Sequence, residues 1–335
     1  MTSGRRSALR RPSLSSAVGA IVSAISLGAV VWWISRQDSP RLPESAAGFA
    51  WLALALLVVA CTHALRGWRW HRVMSYARIR HRLRDAFGLT LVGYMGNNVL
   101  PARGGELMRV GLMGSRTTAR RREVLGSVIA DRLLDTVVLL ALFAALTWAG
   151  VKGSRGSAAA AAGALALAGV GLAVYMRVRR SGRLDRFAAT IRPVARAAKL
   201  FVRPHGVPLA LLTLLVWCLE GVTFMLVARA VGVTLEPLPA LAVVVVASLF
   251  AAIPAAPGYI GTFDAGLLVG LSAAGIEGGD AVGVLLIARF MFFVPVTLAG
   301  LLTLVVGYGG LRARNRTRSD PLGARIAPGE RGTHA

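Results

Sequence analysis

The sequence predicts an all-α, polytopic integral membrane protein of about six to eight spanning helices, some re-entrant or broken, with an internal repeat in view. Three observations carry this. Hydrophobic residues make up 55% of the 335-residue chain and charged residues 16%, with mean hydropathy +0.62, whereas a soluble domain carries about 25% charge. Apolar runs recur close to the ~17–25 residues that cross a bilayer. The 39 basic residues outnumber the 15 acidic ones, for a net charge of +24, and the arginines gather between the runs, as in loops facing an anionic cytoplasmic leaflet. An ordinary soluble enzyme is excluded, and the pI near 11.8 reflects contact with leaflet headgroups, not nucleic acid.

Taken in order, residues 1–16 form a basic cytoplasmic N-terminus, 17–308 the membrane domain and 309–335 a basic disordered tail. The run 17–34 follows Arg5, Arg6, Arg10 and Arg11 as a signal peptide would. It is long for a cleaved leader and ends in Trp32 and Trp33, an interfacial pair, so it reads as a span. Further runs cover 47–65, 124–149, 158–176, 208–228, 238–253, 260–275 and 282–308. Cys61 and Cys218 fall inside runs and read as small buried hydrophobes. The N-terminus and the segments 66–84, 177–203 and 312–325 are strongly basic, which places both termini in the cytoplasm. The 177–207 segment suits an amphipathic interfacial helix. The arginine-rich, lysine-poor usage suggests a GC-rich bacterial genome, and hence the plasma membrane.

Two places interrupt the pattern. Residues 86–102 contain Gly88, Gly93, Gly96, Asn97, Asn98 and Pro101 and are flanked by basic residues on both sides, so they are expected to enter and return as a re-entrant hairpin. Leu100-Pro101-Ala102 is echoed by Ile253-Pro254-Ala255. Glycines follow each (Gly104 and Gly105; Gly258 and Gly261, after Pro257), and then an acid, Glu106 or Asp264. Paired interruptions in two halves of a membrane protein point to discontinuous helices around a midplane site. The segment 238–275 reads either as two short crossings or as a hairpin entering from outside, the latter making the halves inverted.

The motif from Asn97 to Glu106, followed by Arg109, resembles the signature of the lysylphosphatidylglycerol synthase transmembrane region, also called the flippase-like or UPF0104 family. Asp131-Arg132-Leu133-Leu134-Asp135 resembles its second motif, and Pro257 to Asp264 its third. The resemblance covers roughly 50–305 and implies a multi-span lipid-handling protein. The large aminoacyltransferase domain of the bifunctional members has no counterpart in these 335 residues, so lysyl transfer is not expected.

Arg103, Glu106 and Arg109 share a helical face, and two guanidiniums beside a carboxylate suit a lipid phosphate, with Glu106 orienting them. A helix-end salt bridge is the plainer reading. Asp131 and Asp135 lie at i, i+4 near the cytoplasmic end of a span; Arg132 between them is expected to point elsewhere, yet it joins Arg103 and Arg109 as a phosphate candidate. Pairing of the two acids with Arg103 or Arg109 is favoured over a metal. Glu220 sits mid-span, where a lone charge costs about 2.5–3.5 kcal/mol, and Arg289 is its nearest partner by character. Glu220, Asp264 and Arg289 are either register-fixing ion pairs or gating groups. Gly266 and Gly270 read as a packing face, and His63 and His71 as interfacial histidines. No nucleotide loop or zinc motif is present, and no cofactor is expected. The function expected is transport of an anionic or isoprenoid-linked lipid. The alternatives are a membrane enzyme acting on a lipid phosphate, and a non-catalytic membrane partner of a glycosyltransferase or cell-wall enzyme.

Overall fold

The computed structural model describes residues 14–100, 103–150, 206–253 and 256–309. The run 158–176, the 177–207 segment up to residue 205, the N-terminal arginines, the tail beyond Gly309 and the break prolines Pro101 and Pro254 lie outside them. Every regular element among the described residues is helical: α1 (Leu14–Ile34), α2 (Ala46–Tyr76), α3 (Leu83–Val99), α4 (Gly104–Gly114), α5 (Arg121–Trp148), α6 (Gly206–Ala230), α7 (Pro237–Ala251), α8 (Thr262–Ala273) and α9 (Gly278–Tyr308), with a 3-10 turn at Pro257–Tyr259 before α8.

Of these, α2, α6 and α9 are long and apolar enough to cross a membrane. At about 1.5 Å per residue, the 31 residues of α9 extend well beyond a hydrocarbon core of about 30 Å. Cys61 and Cys218 are exposed, so the expectation that they are buried is corrected. Each lies on the outward face of an apolar helix, where lipid replaces protein as the apolar surrounding. A second correction concerns 66–84. Helix α2 begins at Ser45, whose hydroxyl accepts from Gly48 N at 3.1 Å, and it continues through Arg66, Arg69 and Trp70 to Tyr76. The charges do not end the helix because Arg66 and Arg69 lie on its buried face with carboxylate partners.

Residues 86–102 do not enter and return by themselves, which corrects the expectation: as far as Val99 they run in the single helix α3, and the return is made by α4, beyond the break. With α7 and α8 the chain thus forms two antiparallel hairpins. In the first, α3 and α4 close on glycine: a Cβ on Gly105 would lie 1.9 Å from Gly93 O and one on Gly96 2.5 Å from the Gly105 Cα. Only glycine permits that approach. In the second, α7 and α8 meet where a Cβ on Gly270 would lie 2.9 Å from the Val243 Cα and one on Gly266 2.6 Å from the Phe250 Cβ. Gly266 and Gly270 thus form the packing face expected of them.

The hairpins are oppositely placed along α9. The base of the first is held to the end of α9: Arg116 donates to Gly307 O at 2.9 Å and pairs with Asp85 at 3.2 Å, and Tyr308 donates to Asp85 at 3.2 Å. The base of the second lies beside the start of α9, where Arg41 N donates to Gly279 O at 3.2 Å. The tips meet between these ends, with Gly258 against Asn98 O and Arg103 donating to Ala251 O at 3.1 Å.

Candidate functional site

Burying a charge without a partner is costly, and the packing beside the first hairpin follows from that rule. Asp131 and Asp135, one turn apart on α5, face Arg69 of α2, which is fully buried. Arg69 donates Nε to Asp131 at 2.9 Å, both terminal nitrogens to Asp135 at 2.6 and 2.9 Å, and a bond to Thr213 Oγ1 at 3.0 Å. Arg109 of α4 approaches Asp131 from the other side, with both terminal nitrogens at 3.3 Å, and its guanidinium lies 3.6 Å from the ring centre of Trp70.

Arg109 is therefore not the open phosphate ligand the sequence suggested. It is 2% exposed, held by a carboxylate and a cation–π contact, and absent from the cavity wall described below. Nor does Glu106 orient Arg103 and Arg109; it pairs with Arg132 at 3.1 Å. Arg132 points toward the site and not away from it, reaching Asp135 at 3.4 Å as well. Glu220 pairs with Arg66 of α2, not with Arg289, because α2 and α6 lie side by side and present these two residues to each other. Arg289 instead binds Asp264 and donates to Gly258 O at 2.7 Å and Tyr259 O at 3.2 Å. Asp264 in turn accepts from Gly261 N at 2.8 Å, closing the first turn of α8.

Between this charged layer and the hairpin tips lies a cavity of about 250 Å³. One wall is polar, built from His63, Arg66, Tyr94, Arg132, Asp135 and Glu220. The other is apolar and aromatic, with Phe224, Val244, Phe263, Phe292 and Phe293. Asn98, Arg103 and Tyr259 line it where the tips meet. Asn98 donates to Thr297 Oγ1 at 2.9 Å, fixing the first tip to α9.

Arg103 is distinct among these arginines. It sits at the N-cap of α4 with φ 55 and ψ 39, a left-handed conformation that non-glycine residues rarely adopt and that clusters at functional sites. Tyr259 at the other tip is also left-handed, with φ 55, and the Arg103 guanidinium lies 5.6 Å from its ring centre. Among the described residues no carboxylate pairs with Arg103. Around the polar wall five arginines (Arg66, Arg69, Arg103, Arg109, Arg132) meet four carboxylates (Glu106, Asp131, Asp135, Glu220). Arg103 is the surplus cation. The described residues hold no cluster of three or more metal-ligating side chains.

The sequence reading therefore identified Arg103, Arg132, Asp135, Glu220 and Asn98 around one cavity, with Asp264 and Arg289 behind the second tip. It missed Arg66, Arg69, Tyr94, His63 and Trp217. A signal existed: Asp131, Asp135 and Glu220 all fall in helical runs and need more cations than Arg109 supplies, and Arg66 and Arg69 share a face with Trp70 and Val73.

A model of the lysylphosphatidylglycerol synthase transmembrane region matches residues 16–300. The chain is 25% identical over 321 residues to a UPF0104 membrane protein of Methanothermobacter thermautotrophicus, covering 84% of this chain and 92% of that one. It is also 23% identical over 275 residues to the glycosyltransferase AglD of Haloferax volcanii, covering 67% of this chain and 43% of that protein.

Proposed function

The chain belongs to the lysylphosphatidylglycerol synthase transmembrane-region family, and from that premise we propose that it carries an anionic or isoprenoid-linked lipid across the plasma membrane through the cavity between the hairpin tips. The observation that carries the reading is Arg103: an arginine without a carboxylate partner among the described residues, held in a left-handed conformation at the mouth of a cavity that is charged on one wall and aromatic on the other. A phosphate against Arg103 and Arg132 replaces the missing counter-charge through charge-assisted hydrogen bonds. The aromatic wall receives the first carbons of the tails, and the remainder of the lipid stays in the bilayer. The opposed hairpins support alternating access, in which each base faces a different aqueous phase and the shared tips form the barrier. The base of the first carries exposed Arg72, Arg78, Arg80, Arg82, Arg84 and Arg120, so it is the cytoplasmic one.

Proteoliposomes with labelled phosphatidylglycerol or polyprenyl phosphate, read by an impermeant quencher, test this. Wild type exchanges lipid between leaflets faster than empty vesicles. One charge-assisted contact is worth about 1.5–3 kcal/mol, so Arg103→Ala slows exchange roughly 10- to 150-fold, and Arg103→Lys restores part of it because the planar fork is lost. Arg109→Ala acts through stability and not through the site. If wild type moves none of these lipids, autonomous transport is wrong. The similarity to part of a glycosyltransferase then favours the second reading, a membrane partner that presents lipid to such an enzyme.

A further inference from the structure

The carboxylates around the cavity are not equally held. Asp131 has two guanidinium partners and Asp135 three. Asp264 is fixed by Arg289 and by the Gly261 amide. Among the described residues Glu106 and Glu220 have one guanidinium partner each, Arg132 and Arg66, but Glu106 is not on the cavity wall, whereas Glu220 lines it with 16% of its side chain exposed. Arg66 itself leans only weakly on its other acid, at 3.4 and 3.5 Å from Asp135. It lies between two rings, 5.6 Å from Tyr94 and 5.3 Å from Trp217, which keep its guanidinium at the wall whichever anion it faces.

We propose that Glu220 is the displaceable counter-ion of the cavity: a lipid phosphate that has entered against Arg103 and Arg132 goes on to take Arg66 from it, and Glu220 binds one proton in exchange. The inference rests on the transport reading above. A carboxylate stripped of its guanidinium partner beside an apolar, aromatic wall is neutralised and not left charged. The balance is simple. The carboxylate takes a proton from the aqueous phase to which the cavity is then open, and the phosphate takes the guanidinium. When the headgroup leaves, Arg66 returns and the proton is released. Lipid and proton therefore bind and leave together.

The groups facing Glu220 decide where the proton goes. Helix α2 presents His63, Arg66 and, behind them, Arg69; α3 presents Tyr94; α5 presents Arg132 and Asp135; and the tips present Arg103 and Tyr259. Helix α7 offers Ser248 and apolar side chains, and α9 offers Phe292 and Phe293, with Arg289 turned to Asp264. His63 is the rival acceptor. It contacts Val59 O through Nδ1 at 2.9 Å and meets Tyr94 edge-on with ring centres 5.0 Å apart.

Titration calorimetry of the purified full chain with phosphatidylglycerol in detergent, repeated in buffers of different ionisation enthalpy, counts protons directly. This lipid's phosphodiester does not itself titrate between pH 5 and 8. Wild type takes up one proton per lipid, and its affinity rises as pH falls, by up to tenfold per unit where uptake is complete. Glu220→Gln abolishes the uptake and flattens the profile, while His63→Gln, whatever its effect on affinity, keeps one proton per lipid. Lipid binding without proton uptake overturns the counter-ion role and leaves the transport reading standing. Uptake that persists in Glu220→Gln and vanishes in His63→Gln moves the role to His63. No binding of phosphatidylglycerol to wild type, checked also with polyprenyl phosphate by the exchange assay, overturns both.

Discussion

The two hairpins are alike in plan and unlike in how they are tied down. Each has glycine-lined packing, a left-handed non-glycine residue at the tip, Arg103 or Tyr259, and an acid in the turn that follows, Glu106 or Asp264. In the second hairpin one arginine, Arg289, binds the acid and two tip carbonyls together, and the acid also closes its own helix. In the first, the acid is held by Arg132, which is shared with Asp135, and the tip arginine has no carboxylate partner among the described residues. Both tips line the cavity, but only the first brings to it an arginine with no carboxylate partner among the described residues. On the transport reading proposed above, that contrast gives the phosphate-facing role to the first tip and a bracing role to Arg289 behind the second.

The comparison would break most completely on sidedness. With Cys61 and Cys218 replaced by serine, Arg84→Cys and Thr118→Cys at the first base should react with an impermeant thiol reagent from one side only. Thr234→Cys and Glu277→Cys at the second base should react only from the other. Shared sidedness of all four would make the hairpins parallel and remove the inverted arrangement.

Next in size are the buried ion pairs. Arg69→Ala leaves Asp131 and Asp135 short of a cation at the least exposed point of the network. The expected loss is about 3–5 kcal/mol, read as failure to insert or as a collapse of thermal stability in detergent. Arg289→Ala should approach that cost, because it frees Asp264 and two carbonyls together. Arg103→Ala should leave stability unchanged, and equal destabilisation by Arg103→Ala would erase the contrast between the tips. Gly105→Ala follows. Its Cβ would fall 1.9 Å from Gly93 O, so α3 and α4 must part, at about 1–3 kcal/mol or more. Gly270→Ala, at 2.9 Å from a Cα, should cost less.

The all-helical membrane fold and the two interruptions were legible in the sequence because apolar run length and glycine/proline breaks act locally. The first motif led to Arg103 by its place beside the break. Among the expected partners, Arg109 does pair with Asp131, but the partners of Asp135, Glu220 and Glu106 were not foreseen. Arg66 and Arg69 looked like the start of a basic loop, since a run of arginines after an apolar stretch usually marks the membrane surface. They are instead the counter-ions of acids 62 to 154 residues away. Arg109 looked equivalent to Arg103 by spacing, yet one is sealed against Trp70 and Asp131 and the other opens on the cavity. Spacing along one helix fixes which residues share a face; which neighbour that face meets depends on contacts between distant helices.

The smallest effect tests the finest part of the contrast. Among the described residues the first tip is tied to α9 by a neutral hydrogen bond from Asn98 to Thr297, 2.9 Å long, where the second is secured by the charged Arg289. Asn98→Ala removes a bond worth about 0.5–1.5 kcal/mol, and the alanine leaves no buried charge behind. Thr297 Oγ1 loses its donor. Thermal stability should fall by no more than that amount. Lipid exchange should change more than stability does, because Asn98 lies on the cavity wall and its loss alters how far Arg103 stands from Tyr259. A variant that loses several kcal/mol would show that the first tip is as rigidly built as the second. A variant that keeps both stability and exchange would show that Arg103 is positioned by its own left-handed backbone and by Ala251 O, without help from α9.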